Sequence, residues 1–138
     1  MIATAGRTEF AGAIARRHPR LRIALDHMGS GVLREGVDPF ADAELVYELA
    51  RLPNVSVKLS ALPCYSRQQR PWSDVTPHIR RLYDTYGAER LFWGSDLSRL
   101  PCPYSELVDF FLHDLPWLKG RARSLVMGEA LQAWLDWP

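Results

Sequence analysis

Four polar residues of this chain stand where apolar runs stop, and their types are those that activate water. Asp26 and His27 follow Leu21-Arg22-Ile23-Ala24-Leu25, Ser60 closes Val55-Ser56-Val57-Lys58-Leu59, and Asp96 follows Leu91-Phe92-Trp93-Gly94-Ser95. A histidine and an aspartate converging from separate strands can ligate a divalent metal, or work as base and acid on one water molecule. The same residue types have a purely structural reading. Asp26 and Asp96 serve equally well as turn residues accepting hydrogen bonds from the amides that follow, and His27 as a buried, satisfied histidine. On residue types alone, both readings stay open.

The remaining candidates read more plainly. Lys58 is a strand residue whose ammonium reaches water along its stem. Cys64 and Cys102 share a Leu-Pro-Cys context in loops after strands, but without a CxxC-type spacing neither metal ligation nor a disulfide is indicated. His18, His78 and His113 fall in helical or helix-end segments and read as surface or packing residues. Trp117, Trp134 and Trp137 read as a hydrophobic lock for the last helices.

Only the fold could bring the strand-end residues together, and the patterning predicts one that does. A helix begins at Thr8, read as its N-cap, carries Phe10, Ile14, Ala11 and Ala15 on one side, and stops at His18-Pro19. A strand over 21–25 follows, and Gly29, Gly31 and Gly36 mark a loop. Asp42 opens a helix with Leu45, Val46, Leu49 and Leu52 at helical spacing, halted by Pro53-Asn54. The strand over 55–60 alternates, with Val55, Val57 and Leu59 on one face and Ser56, Lys58 and Ser60 on the other. A third helix carries Ile79, Leu82, Tyr83 and Tyr86 and ends at Gly87. The strand at 91–93 comes next, then helices over 104–113 and 121–134, the last broken at Gly128. Strands alternating with helices predict an α/β fold with a parallel sheet. In such a sheet all strand C-termini share one edge, where active sites of this class lie.

The totals exclude several classes. A chain of 138 residues, 47% hydrophobic, supports one domain over 1–138 with a real core. A net charge of +1 argues against a nucleic-acid partner. The basic cluster at Arg16, Arg17, His18, Arg20 and Arg22 is short, interrupted by Pro19, and fits the solvated end of a helix. No apolar run approaches the roughly 18 residues of a membrane span, and residues 1–7 show no apolar core behind a basic start. Two cysteines are too few for a disulfide scaffold, so a reducing cytoplasm is the expected compartment. The expected partner is a small-molecule substrate.

With these residues on one edge, three blocks resemble the C-terminal half of the amidohydrolase-related family, the branch of the amidohydrolase superfamily that holds lactone hydrolases and some decarboxylases. They are "DHMG" at Asp26, "PNVSVKLS" at Pro53 and "ERLFWGSD" at Glu89, in the expected order and spread over nearly the whole chain. The resemblance implies a TIM (β/α)8 barrel, of which this chain holds the last three strands. It implies that Asp96 ligates the metal or acts as general base toward the hydrolytic water. His27 would ligate the metal or position water and substrate. The implied cofactor is one divalent ion, zinc or manganese, or none, since some members work without one. Ser30, in the loop after His27, and Arg99, three residues beyond Asp96, are the implied substrate contacts.

One departure is large. The family's His-x-His pair on its first strand has no counterpart anywhere in the chain. A full barrel takes about 250 residues, and one histidine with one aspartate falls short of a tight metal site. The leading expectation is therefore a hydrolase acting on a lactone or similar cyclic ester, present as a C-terminal part from a truncated or split reading frame and nearly inactive alone. The alternative is a non-catalytic half-barrel that pairs with itself or with a separate N-terminal half, covering the edges a partial barrel exposes. An independent α/β domain holding a small anion ranks last, because no GxGxxG or Walker-type loop occurs.

Overall fold

Three parallel strands, β1 (Ile23–Leu25), β2 (Val55–Ser60) and β3 (Leu91–Gly94), form one sheet in the order β1-β2-β3. They are seen in a computed structural model that describes residues 7–31 and 36–138; the reading of residues 1–6 as lacking a signal falls outside that range. The register pairs Leu25 with Val57, Val57 with Leu91 and Ser60 with Gly94, so the strand ends lie side by side. The expected parallel α/β sheet is therefore present, with β1 two residues shorter than its apolar run.

Helices cover the sheet as the patterning predicts, with shifted ends. They are α1 (Thr8–Arg17), α2 (Ala43–Glu48), α3 (Thr76–Tyr86), α4 (Tyr104–Asp109), α5 (Gly120–Ser124) and α6 (Ala130–Trp134). The α4 helix runs on through a wider π turn at Phe110–Asp114, and a second such turn, Leu125–Glu129, joins α5 to α6. Gly128 does break the last helix, at φ 170° and ψ −39°. Thr8 is not the cap of α1. Arg7 holds that position, and the Thr8 hydroxyl is buried without a partner among the described residues.

Alternation along β2 gives the sheet two unlike faces. Ile23, Leu25, Val55, Val57, Leu59 and Leu91 point into the main core, against Ala11, Val46, Ile79, Leu107 and Phe110 from the helices. The other face carries Ala24, Ser56, Lys58, Ser60 and Phe92. Here Ala24, Phe92 and Ala130 form a second cluster, with the Trp134 ring 5.6 Å from Phe92. The Arg22 guanidinium, just before β1, lies over Trp134 and pairs with Asp136 at 2.8 Å. The end of the chain thus packs on this face, against Ala24 of β1 and Phe92 of β3.

Two polar residues tie these layers together. The Asn54 amide donates to the carbonyls of Ala15, His18 and Leu21 at 3.1, 3.2 and 2.9 Å, joining the end of α1 to the entry of β1 and β2. His78, in the first turn of α3, is 8% exposed and takes the Tyr47 hydroxyl of α2 on Nδ1, while Nε2 faces the Met28 carbonyl at 3.3 Å. Burial pushes its pKa down to about 4.

Asn54→Ala should lower stability by about 2 kcal/mol, because three carbonyls lose their donor. Asn54→Asp should cost more, placing an acceptor against acceptors. Urea unfolding of the two variants checks the order. His78 binds its proton less tightly folded than unfolded, so its contribution is complete above pH 6.5 and fades as pH falls toward 4. The shift corresponds to about 3 kcal/mol. The stability gap between the native chain and His78→Gln should accordingly narrow over that window in parallel urea titrations.

Candidate functional site

Each strand leaves the sheet through a residue in the left-handed region. His27 has φ 52°, Ala61 φ 55° and Asp96 φ 51°. Such residues cost of order 1–3 kcal/mol each and persist only where their surroundings impose them. After β1 the left-handed run continues through Met28 at φ 61° and Gly29 at φ 69°. A side chain at Gly29 is impossible, since a Cβ there would lie 2.4 Å from Val46 Cγ2. The turn closes with the Gly29 amide donating to the Asp26 carbonyl at 3.0 Å and the Ser30 amide to the His27 carbonyl at 2.9 Å. Met28 is wholly buried, so the turn swings the His27 ring to the sheet edge.

There His27 meets the residues expected on that edge, and one more. Its Nδ1 lies 2.9 Å from Ser60 Oγ, and its backbone N–H donates to the same oxygen at 3.4 Å. Its Nε2 faces Asp96 Oδ2 at 3.6 Å, and Arg99 Nη1 lies 3.5 Å from that oxygen and 3.4 Å from the nitrogen. Asp96, His27 and Ser60 thus have the outline of a nucleophilic triad. However, Ser60 is only 2% exposed, so it orients the ring rather than attacking a substrate. Nδ1 is taken by Ser60, and Nε2 is the nitrogen that faces outward.

A second ion pair flanks the first. Lys58 Nζ lies 2.6 Å from Asp26 Oδ1, close but out of line for a hydrogen bond. Lys58 does not extend to water as expected; it turns along its own strand face to the carboxylate before His27. The Tyr65 ring completes the wall, 6.2 Å from that of His27 and beside Arg99. Burial lowers the His27 pKa, opposed by the carboxylates of Asp96 and Asp26 and joined by the charges of Arg99 and Lys58. The imidazole is therefore neutral at pH 7 and able to take a proton.

Of the four expected site residues, Asp96, His27 and Arg99 come together. Ser30 does not join them: it is 4% exposed, and its hydroxyl has no partner among the described residues. The tight turn at Met28 and Gly29 carries it inward. Ser60 joins them as its place at the end of β2 indicated, and Lys58 is the contact that the residue types alone did not assign to the site, although the alternation of β2 places it on the site's face. Cys64 Sγ donates to the Arg99 carbonyl at 3.0 Å, and both cysteines are free. Burial raises the pKa of both thiols, which makes them poor nucleophiles.

The donor set does not fit a metal ion. No group of three His, Cys, Asp or Glu side chains converges among the described residues. The Arg99 guanidinium also lies against the two atoms, His27 Nε2 and Asp96 Oδ2, that would have to be ligands. The two carboxylates and two cations of this edge already cancel in charge.

Comparison with known proteins identifies the family of this chain. The model of the amidohydrolase family matches residues 2–133. An L-fucono-1,5-lactonase of Burkholderia ambifaria is 42% identical over 90 residues, covering 64% of this chain and 31% of that protein. A 4-sulfomuconolactone hydrolase of Hydrogenophaga intermedia is 32% identical over 124 residues, covering 83% of this chain and 40% of that protein. Among solved structures, an amidohydrolase from Burkholderia multivorans with bound zinc superposes with a TM-score of 0.84 at 24% identity, over 100% of this chain and 52% of that one. The chain thus spans about half, or less, of the length of the relatives it matches. It belongs to the amidohydrolase family.

Proposed function

We propose that this chain carries the acid–base side of a lactone-hydrolysing site, on the last three strands of a (β/α)8 barrel. The observation that supports it is the His27–Asp96 pair, bridged by Arg99, at the C-terminal ends of parallel strands. Two relatives named for lactone hydrolysis support the substrate class. The carboxylate of Asp96 takes a proton from a water molecule as its oxygen attacks the lactone carbonyl. The ring ester C–O bond breaks, and the leaving oxygen takes up the proton, so that lactone and water become a hydroxy acid. His27 Nε2 holds the water or the leaving oxygen at the sheet edge, and Ser60 keeps the ring aimed. Arg99, 42% exposed in its side chain, offers its free N–H groups to the carbonyl oxygen or to a substrate carboxylate. No step is assigned to a metal, because the donor set of this chain does not fit one.

A second reading rests on the sheet itself. Among the described residues β1 and β3 are each paired on one side only, and unpaired edges accept further strands. In this reading the unit completes its sheet by pairing with a second copy or with a separate N-terminal half.

Hydrolysis of L-fucono-1,5-lactone and 4-sulfomuconolactone, followed by pH-stat, tests the first reading. Turnover by the chain alone is expected to be low, indifferent to added zinc, manganese or chelator, and reduced about 100-fold or more by Asp96→Asn or His27→Asn. Activity that survives both substitutions would remove these residues from the chemistry, and vigorous turnover would show that the chain needs nothing more. Sedimentation analysis tests the second: a dimer is expected, and a monodisperse monomer at all concentrations argues against self-pairing.

A further inference from the structure

We infer that His78 is a positioning residue for His27, acting through the Met28 carbonyl. It touches no strand-end group itself. His78 lies on α3, its ring packed 4.3 Å from Phe40 and largely enclosed. An imidazole in that setting is neutral and carries one ring proton. The Met28 carbonyl beside Nε2 can only accept, so the proton sits on Nε2 and is donated there. Nδ1 then has only a lone pair to offer, and the Tyr47 hydroxyl must donate to it. This assignment satisfies every atom of the relay, whereas the opposite tautomer sets a lone pair against a carbonyl.

Tyr47 is held in turn. The Arg81 guanidinium lies 4.2 Å from its ring centroid and is itself fixed by two bonds to Glu44, at 2.7 and 2.8 Å. The relay thus runs from the α2–α3 surface to the middle of the left-handed turn. Met28 is the residue there with the least reason to be left-handed, being neither glycine nor a residue with a short polar side chain. In this assignment the His78 bond holds the Met28 carbonyl, and with it the turn that carries the His27 ring to Ser60. The functional meaning rests on the reading of His27 given above, but the geometric claim needs no substrate.

The test is made on the full chain by NMR and hydrogen exchange at pH 7.5. Imidazole 15N correlations should show His78 as the Nε2–H tautomer. In His78→Ala, the Gly29 and Ser30 amides should exchange roughly tenfold faster, the scale of one lost hydrogen bond, while amides of β2 hold. The His27 ring signals should shift or broaden. His78→Gln, whose amide can donate to the same carbonyl, should restore both. If His78→Ala does not fold, Tyr47→Phe replaces it, with the His78 tautomer balance and the His27 signals moving together. An Nδ1–H tautomer in the native chain overturns the inference. So do unchanged His27 signals in a folded His78→Ala, or in Tyr47→Phe where His78→Ala does not fold. Lactone hydrolysis plays no part in this readout, so failure of the catalytic reading and failure of the positioning role are separable.

Discussion

The polar edge of this sheet depends on a backbone constraint: the chain must leave each parallel strand sharply enough to aim a side chain across the strand ends rather than away from them. His27 and Asp96 meet this constraint with left-handed backbones, an unfavourable choice for residues that carry a Cβ. What imposes it is local and identifiable. Met28 is buried to nothing, Gly29 sits where only a hydrogen fits against Val46, and Ser60 receives both the amide and the ring of His27. Aspartate tolerates the left-handed region better than most residues, which helps explain its presence at the corresponding exit of β3. The strain falls on the residues that form the polar edge.

Electrostatics at the edge follows from the same geometry. Lys58 is drawn to Asp26, and Arg99 to Asp96, so each carboxylate has a cation and the imidazole between them keeps its neutral form. The charges of Asp26, Lys58, Asp96 and Arg99 thus balance among themselves.

Much of this was legible in the residues. The alternation of Val55, Val57 and Leu59 with Ser56, Lys58 and Ser60 predicted the two faces of β2, and the apolar runs ending in Asp26-His27 and Asp96 predicted a shared polar edge. Those signals are periodic or positional, and parallel pairing converts them directly into proximity. Contacts carried by single side chains across long separations were not legible. Asn54 reads as a helix stop and proves to be a three-way amide clamp. His78 reads as packing and proves to set its Nε2 against the carbonyl of a strained turn. Ser30 follows His27 closely enough to suggest a shared pocket, yet the turn between them reverses its direction. Sequence spacing carries no record of a reversal made within three residues.

The packing of the last helix on the sheet has a consequence for exposure. Ser56, Ala24 and Phe92 are sealed at 2% exposure or less beneath it, whereas the side chains of Lys58 and Asp26 keep 23% and 15%. The helix acts as a stopper at one mouth of the sheet face, locked by Arg22 and Asp136. Among the described residues, Arg99 and Tyr65 flank the His27 ring. A guanidinium in that position draws anions toward this edge of the sheet.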